Sequence, residues 1–269
     1  MSTPTPSPPS PSPDLLRRLV GVLDLTTLEG TDTFERVRDL CARGLEPLGD
    51  GSATVGAICV YPTMVPAAAE ALAGSAVRLA SVAGAFPSGM SPLRLRVAEA
   101  AWAVEQGANE IDMVISRGEF LAGRTERVVE EVREIRAVIG DASLKIILET
   151  GELKTEANIR AASELVVPLL RDGDFIKTST GKIQPAATLG ATAVMLGVLA
   201  ECWRTGGPKV GLKPAGGVRT ADDAMAYWSQ AKEIMAGHGD WERPDPRCFR
   251  IGASSLLGSL VDALAQGPR

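Results

Sequence analysis

Two lysines lie in short apolar stretches where a charged side chain is unexpected. Lys177 belongs to Phe175-Ile-Lys-Thr-Ser-Thr-Gly-Lys182, and Lys213 belongs to Val210-Gly-Leu-Lys-Pro-Ala-Gly-Gly217. Burial of an unpaired ammonium is costly, so most lysines stay solvated. A lysine within a strand is therefore expected to have a lowered pKa and to act as an amine nucleophile. For either lysine alone, the alternative is a salt-bridged side chain at a strand end.

Strand-like apolar runs alternate with helical segments along the chain and would position these lysines. The runs cover residues 20–27, 55–62, 77–87, 110–116, 144–150, 174–182, 210–217 and 249–256. Helical segments follow each run, and Ser91 is the expected N-cap of the helix that ends near Gln106. This pattern predicts a parallel (β/α)₈ TIM barrel. A doubly wound open sheet is the alternative, but no GxGxxG motif follows the first strand.

Length and composition fit one barrel domain. The chain has 269 residues, of which 45% are hydrophobic and 4% aromatic. We expect the barrel to occupy residues 14–269, after a disordered Pro/Ser-rich tail over residues 1–13. That tail lacks the basic start and apolar middle of a signal peptide, so we expect it to remain uncleaved.

Charge and cysteine usage exclude several classes of partner. The net charge of −5 and the absence of a basic stripe argue against nucleic acid. The sequence contains no run of eighteen apolar residues, so it predicts no membrane-spanning helix. The four cysteines are widely spaced, which favours free thiols in the cytoplasm. One histidine, His238, cannot supply a histidine cluster for zinc, so we expect no metal site.

Strand alternation predicts which side chains face the barrel axis. Outward residues should be apolar to meet the helices, whereas inward residues near the carboxyl ends can be polar. In the fifth strand, either Lys145 or Glu149 faces inward. The other expected inward residues are Asp24, Thr26, Cys59, Asp112, Val114, Lys177 and Lys213.

The inward charges would gather near one mouth of the barrel. A structural ion pair explains any one of them, and for Asp24 alone we favour that explanation. Charges grouped in an enclosed barrel indicate an active site. Two adjacent ammonium groups repel each other, so one of the lysines should be neutral and able to attack a carbonyl.

Glycine- and serine-rich segments end three neighbouring strands. They are Ser179–Lys182, Gly216–Gly217 and Gly252–Ser255. Barrel enzymes often hold a phosphate with such loops, because glycines let backbone N–H groups approach an anion. Each segment alone fits a simple turn, but three together predict a phosphate site.

Seven ordered stretches resemble the deoxyribose-phosphate aldolase family, and the resemblance runs from about Leu19 to Ala265. The stretches are Leu23-Asp-Leu-Thr-Thr-Leu28, Ala57-Ile-Cys-Val-Tyr-Pro62, Glu110-Ile-Asp-Met-Val114, Ile147-Leu-Glu-Thr-Gly-Glu-Leu153, Phe175-Ile-Lys-Thr-Ser-Thr-Gly-Lys182, Gly211-Leu-Lys-Pro-Ala-Gly-Gly-Val-Arg-Thr220 and Gly252-Ala-Ser-Ser-Leu256.

The resemblance implies a class I, Schiff-base aldolase that needs no metal or organic cofactor. Its reaction is the interconversion of 2-deoxy-D-ribose 5-phosphate with D-glyceraldehyde 3-phosphate and acetaldehyde. By resemblance, Lys177 is the Schiff-base nucleophile and Lys213 is the neighbouring cation that lowers its pKa. Asp112 is then the proton donor and acceptor.

The resemblance also assigns the substrate-binding residues. It places Asp24 and Thr180 in the hydroxyl-binding part of the pocket and Cys59 in its wall. The residues expected to hold the phosphate are Gly181, Lys182, Gly216, Gly217, Gly252, Ser254 and Ser255.

Two segments depart from the family pattern. Some members end in a tyrosine thought to reach the site, whereas this sequence ends at Ala265-Gln-Gly-Pro-Arg269. The segment 237–248 resembles nothing that we can assign.

Other functions remain open on the same scaffold. A phosphosugar isomerase or another Schiff-base lyase would use the phosphate site, but an isomerase would not need two inward lysines. A non-catalytic phosphosugar-binding protein would not need Lys177, Lys213 and Asp112. Activity that survives a chelator would exclude a metal-dependent aldolase. We expect a homodimer that pairs through exposed helices.

Overall fold

Eight parallel strands form a barrel in the computed structural model, which describes residues 11–266. The strands are β1 (Leu23–Thr26), β2 (Ala57–Val60), β3 (Arg78–Ala83), β4 (Glu110–Val114), β5 (Ser143–Ile147), β6 (Phe175–Lys177), β7 (Gly211–Lys213) and β8 (Ile251–Ala253). Consecutive strands pair from β1 to β7, and β8 pairs with β1. Two parallel bridges, Leu212 with Phe249 and Ala215 with Gly252, close the ring between β7 and β8. The predicted barrel is confirmed, and the open doubly wound sheet is wrong.

Helices follow the strands around the barrel. Within residues 11–266, they are α1 (Pro13–Gly21), α2 (Phe34–Leu45), α3 (Val65–Ala71), α4 (Leu93–Glu105), α5 (Arg117–Leu121), α6 (Thr125–Val138), α7 (Thr150–Leu153), α8 (Glu156–Val166), α9 (Leu189–Arg204), α10 (Ala221–Ile234) and α11 (Leu256–Gln266). Threonine hydroxyls accept a first-turn amide at the start of α2, α8, α9 and α10, which satisfies a backbone donor that the helix itself cannot pair. No helix in the described part of the chain is long and apolar enough to cross a membrane.

The apolar core lies mainly outside the barrel, between the strands and the helices. Leu23 and Leu25 of β1 and Ile111 of β4 belong to it, as strand alternation predicts. A second, small apolar cluster lies inside the barrel and contains Cys59. Because so few apolar side chains fill the interior, charged side chains occupy much of the remaining space.

The N-terminal region departs from prediction. Helix α1 begins at Pro13, and the Ser12 hydroxyl accepts a hydrogen bond from the Leu15 amide. Ser12 and Pro13, assigned to the tail, thus cap and start a helix, while residues 1–10 lie outside the described residues. The first strand was expected from Val20, but Val20 is buried in α1 and β1 starts at Leu23.

Loop boundaries and one cap also differ. Ser91 is not the N-cap of α4; Pro92 is, without a side-chain cap bond, so the Ser91 hydroxyl lies one residue too early. Strands β6 and β8 are three residues long, shorter than predicted, because the adjoining residues form the loops of the barrel mouth. Short helices α5 and α7 were not predicted.

Arg96 joins the ends of two strands to two helices. Its side chain is 1% exposed and donates to the carbonyls of Gly84 and Val114 at 3.0 and 2.7 Å. It also donates to the Ser116 hydroxyl and pairs with Glu131 at 2.8 Å. Removing one partner of a buried pair leaves the other charge uncompensated.

We expect Arg96→Met to lower the free energy of unfolding by about 3–5 kcal/mol, because Glu131 and two carbonyls lose their partner. Chemical denaturation followed by circular dichroism measures this change. Arg94→Met, at an exposed position of the same helix, is the matched control and should change stability little. Equal effects of the two substitutions would show that Arg96 does not join these elements.

Candidate active site

The candidate site is a cleft at the carboxyl ends of the strands. Its volume is about 210 Å³, and Lys177 lies at its inner end. The side chain of Lys177 is buried, yet it is the one inward lysine of the described barrel that lines this cleft. A reactant in the cleft would therefore meet Lys177.

Asp112 holds three lysines together inside the barrel. Lys177 and Lys213 both donate to its Oδ2 atom at 2.7 Å, and Lys145 donates to Oδ1 at 2.8 Å. The strand register explains this grouping, since Asp112 pairs with Lys145 and Lys177 pairs with Lys213. Asp112 and Lys213 are fully buried and do not line the cleft.

The ionic contacts continue toward the amino ends of the strands. Asp24 pairs with Lys213, and its Oδ1 atom lies 2.9 Å from the Arg250 guanidinium as an ion pair. Arg250 also bonds Glu110 at 2.6 Å, and Glu110 lies 2.5 Å from Lys145. We call these side chains, with Asp112 and Lys177, the axial network. All of them are buried.

The two lysines on Asp112 have opposite pKa shifts. Burial and the neighbouring charge of Lys213 lower the pKa of Lys177, and the single contact with Asp112 does not offset them. Lys213 is also desolvated, but Asp112 and Asp24 together raise its pKa. Lys177 is therefore the lysine more readily neutral near physiological pH.

Two carboxylates of the axial network, Asp112 and Glu110, remain ionised. Burial opposes the charge on Asp112, but Lys145, Lys177 and Lys213 hold its pKa well below the usual range. The pKa of Glu110 is lowered to about 2, because Arg250 and Lys145 outweigh its burial.

The balance of charges within the axial network also indicates that Lys177 is the lysine most readily neutral. Asp24, Glu110 and Asp112 carry three negative charges, and Lys145, Lys213 and Arg250 carry three positive charges. A protonated Lys177 would add a fourth, unmatched cation in a desolvated interior, which is costly. Arg78 also touches Glu110, but it does so from a side chain that is 44% exposed and thus screened by water.

Glu149 fixes the segment that follows β6. It is fully buried in the left-handed conformation, at φ 56°. It accepts hydrogen bonds from the Thr180 amide at 3.2 Å and from the Thr180 hydroxyl at 2.5 Å. The Thr180 hydroxyl in turn accepts the Lys182 amide at 3.1 Å. Lys145 and Glu149 were the two candidates for the inward residue of the fifth strand, and both are buried. Lys145 belongs to the axial network, whereas Glu149 lies at the base of the loop that follows β6.

The outer part of the cleft is formed by the three predicted loop ends. Gly216 has φ 80°, and an added Cβ would lie 2.8 Å from the Cβ of Ala186 and 2.9 Å from the Cα of Gly181. Ser254 and Ser255 are exposed immediately before helix α11, whose free amides favour an anion. The predicted phosphate residues that line the cleft are Gly181, Lys182, Gly216, Gly217, Gly252, Ser254 and Ser255.

Two of the residues expected to contact substrate do not line the cleft. Asp24 is fully buried and both of its oxygens lie against cations. Cys59 is buried in the inner apolar cluster, and burial followed by the charge of Asp112 raises the pKa of its thiol. Thr180 does line the cleft.

A larger cavity of about 610 Å³ lies at the opposite, amino-terminal mouth, beside Glu110 and Arg250. Lys177 does not line it, and barrel enzymes carry their sites at the carboxyl mouth. We therefore place the candidate site in the smaller cleft. Residues 11–266 contain no group of three histidine, cysteine or acidic side chains that could hold a metal ion.

Sequence reasoning missed Arg250 and Glu110 of the axial network, and Glu29 and Arg219 of the cleft. Alternation would have found Arg250, because Phe249 and Ile251 belong to the outer core. Alternation also marks Glu110, because it neighbours Ile111 of the outer core, whereas Glu29 and Arg219 lie in loops and carry no such signal.

A parallel barrel with lysines around an aspartate at its carboxyl mouth is suited to Schiff-base chemistry. Residues 19–259 match the model described as DeoC/LacD family aldolase. The chain therefore belongs to the DeoC/LacD aldolase family.

Known relatives agree with this assignment. The chain is 44% identical to the mouse deoxyribose-phosphate aldolase, in an alignment that covers 91% of this chain and 79% of the relative. It is 42% identical to the human deoxyribose-phosphate aldolase with the same coverage. The tetrameric deoxyribose phosphate aldolase from Aeropyrum pernix has 25% identity and a TM-score of 0.66, covering 94% of this chain and 97% of that one.

We expect Gly216→Ala to disturb the cleft, because the added Cβ meets backbone and a positive φ is strained for alanine. The expected loss of stability is about 1–3 kcal/mol, with weaker binding of inorganic phosphate. Thermal unfolding and a phosphate titration measure the two effects. Gly258→Ala, in helix α11 with open space around its Cβ, is the control and should not destabilise the protein. A Gly216→Ala protein with unchanged stability and phosphate binding would contradict the prediction.

Proposed function

We propose that this chain is a lysine-type aldolase that cleaves and forms 2-deoxy-D-ribose 5-phosphate. The products of cleavage are D-glyceraldehyde 3-phosphate and acetaldehyde. One observation carries the proposal: Lys177 shares Oδ2 of Asp112 with Lys213 and alone among the three lysines reaches the cleft. The names of the mouse and human relatives support the same substrate.

In the proposed reaction, Lys177 forms the covalent bond to substrate. Its neutral Nζ attacks the carbonyl carbon of the open-chain sugar, and loss of water from the carbinolamine gives a protonated imine. The bond between C2 and C3 then breaks as the C3 hydroxyl loses its proton, and the bonding electrons move into the imine to give an enamine. Glyceraldehyde 3-phosphate leaves; protonation of the enamine and hydrolysis release acetaldehyde and free Lys177.

Asp112 and Lys213 serve the proton transfers. Asp112 is ionised and lies 2.7 Å from the Lys177 Nζ, so it can accept and return protons at the carbinolamine stage, through a water where the distance requires one. Lys213 stays protonated and keeps the pKa of Lys177 low through its positive charge. Asp24 holds Lys213 from the side away from the cleft.

The loop ends hold the phosphate in this proposal. Gly181, Gly216, Gly217, Lys182 and the residues that precede α11 line the outer cleft, where backbone amides and the Lys182 ammonium would bind the phosphate. The Gly216 amide itself donates to the Gly252 carbonyl, so the contribution of Gly216 is the space that its missing side chain leaves. Thr180 lines the part nearer Lys177, and Cys59 packs behind the wall. A homodimer and a cytoplasmic location remain predictions.

Borohydride trapping tests the nucleophile. After incubation with acetaldehyde, reduction should leave an ethyl group on the peptide that contains Lys177. A Lys177→Leu variant should lose this adduct and its aldolase activity, because no other lysine lines the inner cleft. Mass spectrometry of the digested protein locates the modification. An adduct on Lys213 would reverse the roles of the two lysines, and no adduct on a folded protein would favour the isomerase or binding-protein alternatives.

The charge balance of the axial network predicts that a substitution of Lys145, which lies outside the cleft, changes the pH dependence of the reaction at Lys177. Lys145→Met removes one permanent cation, so protonation of Lys177 would restore neutrality and the pKa of Lys177 should rise. Since only the neutral amine attacks a carbonyl, the acid limb of the trapping rate should move to higher pH, by about one unit or more.

The rate of borohydride trapping measured across pH gives this limb, with circular dichroism as the check on folding. Lys209→Met is the matched control, because Lys209 pairs with Asp240 on the surface with 60% of its side chain exposed. An acid limb that stays in place, or moves to lower pH, in folded Lys145→Met would contradict the role of charge balance.

A further inference from the structure

Glu29 places a negative charge in a cleft proposed to bind an anion. It is the one carboxylate among the described residues that line this cleft. Its Oε1 atom lies 3.2 Å from the Lys182 Nζ, although the two residues are 153 positions apart in sequence. The side chains are 57% and 32% exposed, so the pair stands at the solvent edge of the cleft.

The loop after β1 holds Glu29 in this place. The Asp32 carboxylate accepts the Glu29 amide at 2.9 Å and the Thr27 hydroxyl at 2.8 Å. The Asp32 amide donates back to the Glu29 carbonyl at 3.0 Å. The Asp32 side chain is 2% exposed, so these bonds are shielded from water. Glu29 is thus presented toward Lys182 from an ordered backbone.

We propose that Glu29 is a specificity-determining residue that competes with the substrate phosphate for Lys182. The inference rests on the proposed function for the identity of the phosphate. In the free protein the Lys182 ammonium is paired with Glu29. When phosphate binds, Lys182 must leave Glu29 or be shared between two anions, and like charges close together disfavour the shared arrangement.

This competition affects phosphorylated and unphosphorylated ligands differently. A sugar phosphate needs Lys182, so the ion pair between Glu29 and Lys182 weakens its binding. The binding of the phosphorylated product is weakened in the same way. A sugar without phosphate does not compete for Lys182. Glu29 therefore reduces the factor by which the site prefers phosphorylated over unphosphorylated sugars. Exposed ion pairs contribute up to about 1 kcal/mol, which corresponds to an effect of about two- to fivefold.

Binding of inorganic phosphate, followed by ³¹P NMR titration, tests the competition without turnover. Glu29→Gln should lower the dissociation constant of phosphate about two- to fivefold. Lys182→Met should raise it, and the gain from Glu29→Gln should largely disappear in the Lys182→Met background. Glu70→Gln makes the same change of charge at a surface pair with Arg38 and is the control, with no effect expected.

Kinetics supply the second measurement. The ratio of kcat/KM for 2-deoxyribose 5-phosphate to that for 2-deoxyribose should rise in Glu29→Gln by the same factor. An unchanged phosphate constant, or an equal gain with and without Lys182, overturns the competition. Because the titration needs no reaction, it separates this failure from failure of the aldolase proposal, which borohydride trapping detects.

Discussion

Asp112 is the carboxylate on which the interior of the barrel depends. It is fully buried, and three lysines from neighbouring strands donate to its two oxygens. Buried ion pairs often add little to stability, because desolvation offsets their attraction. A barrel filled with leucine and valine would be simpler to fold. The charges are therefore better explained by the chemistry proposed for Lys177 than by the needs of folding.

Two lysines that share one oxygen atom nevertheless have different surroundings. Lys213 has a second carboxylate, Asp24, which Arg250 holds from behind. Lys177 has only Asp112, and it faces the cleft. With the other charges of the axial network balanced, Lys177 is the side chain that can lose its proton with least disturbance to the rest. A lysine with a raised pKa and a lysine with a lowered pKa thus arise from the same residue type on adjacent strands.

Strand alternation predicted much of this site, and its limits are physical. An apolar outer face requires the intervening residues to point inward, so Asp112, Lys177 and Lys213 could be placed from sequence alone. Which inward charges touch depends on barrel closure and register, which local patterns do not encode. Arg250 and Glu110 meet across the barrel from positions 140 residues apart, and no local signal joins them. The role of Asp24 in holding Lys213 was equally beyond a pattern that only assigns faces.

The loops that follow the strands form the outer part of the cleft. The axial network is buried and closely paired, which suits the tuning of an amine, and Lys177 is the one member of it that lines the cleft. Strands β6 and β7 end early, and the residues after them include glycines in left-handed conformations, Gly181 after β6 and Gly216 after β7. Both glycines line the cleft that Lys177 also lines. The axial network and the outer cleft are thus formed by separate parts of the chain, and Glu149 connects them, because it follows β5 and accepts hydrogen bonds from Thr180, which lines the cleft.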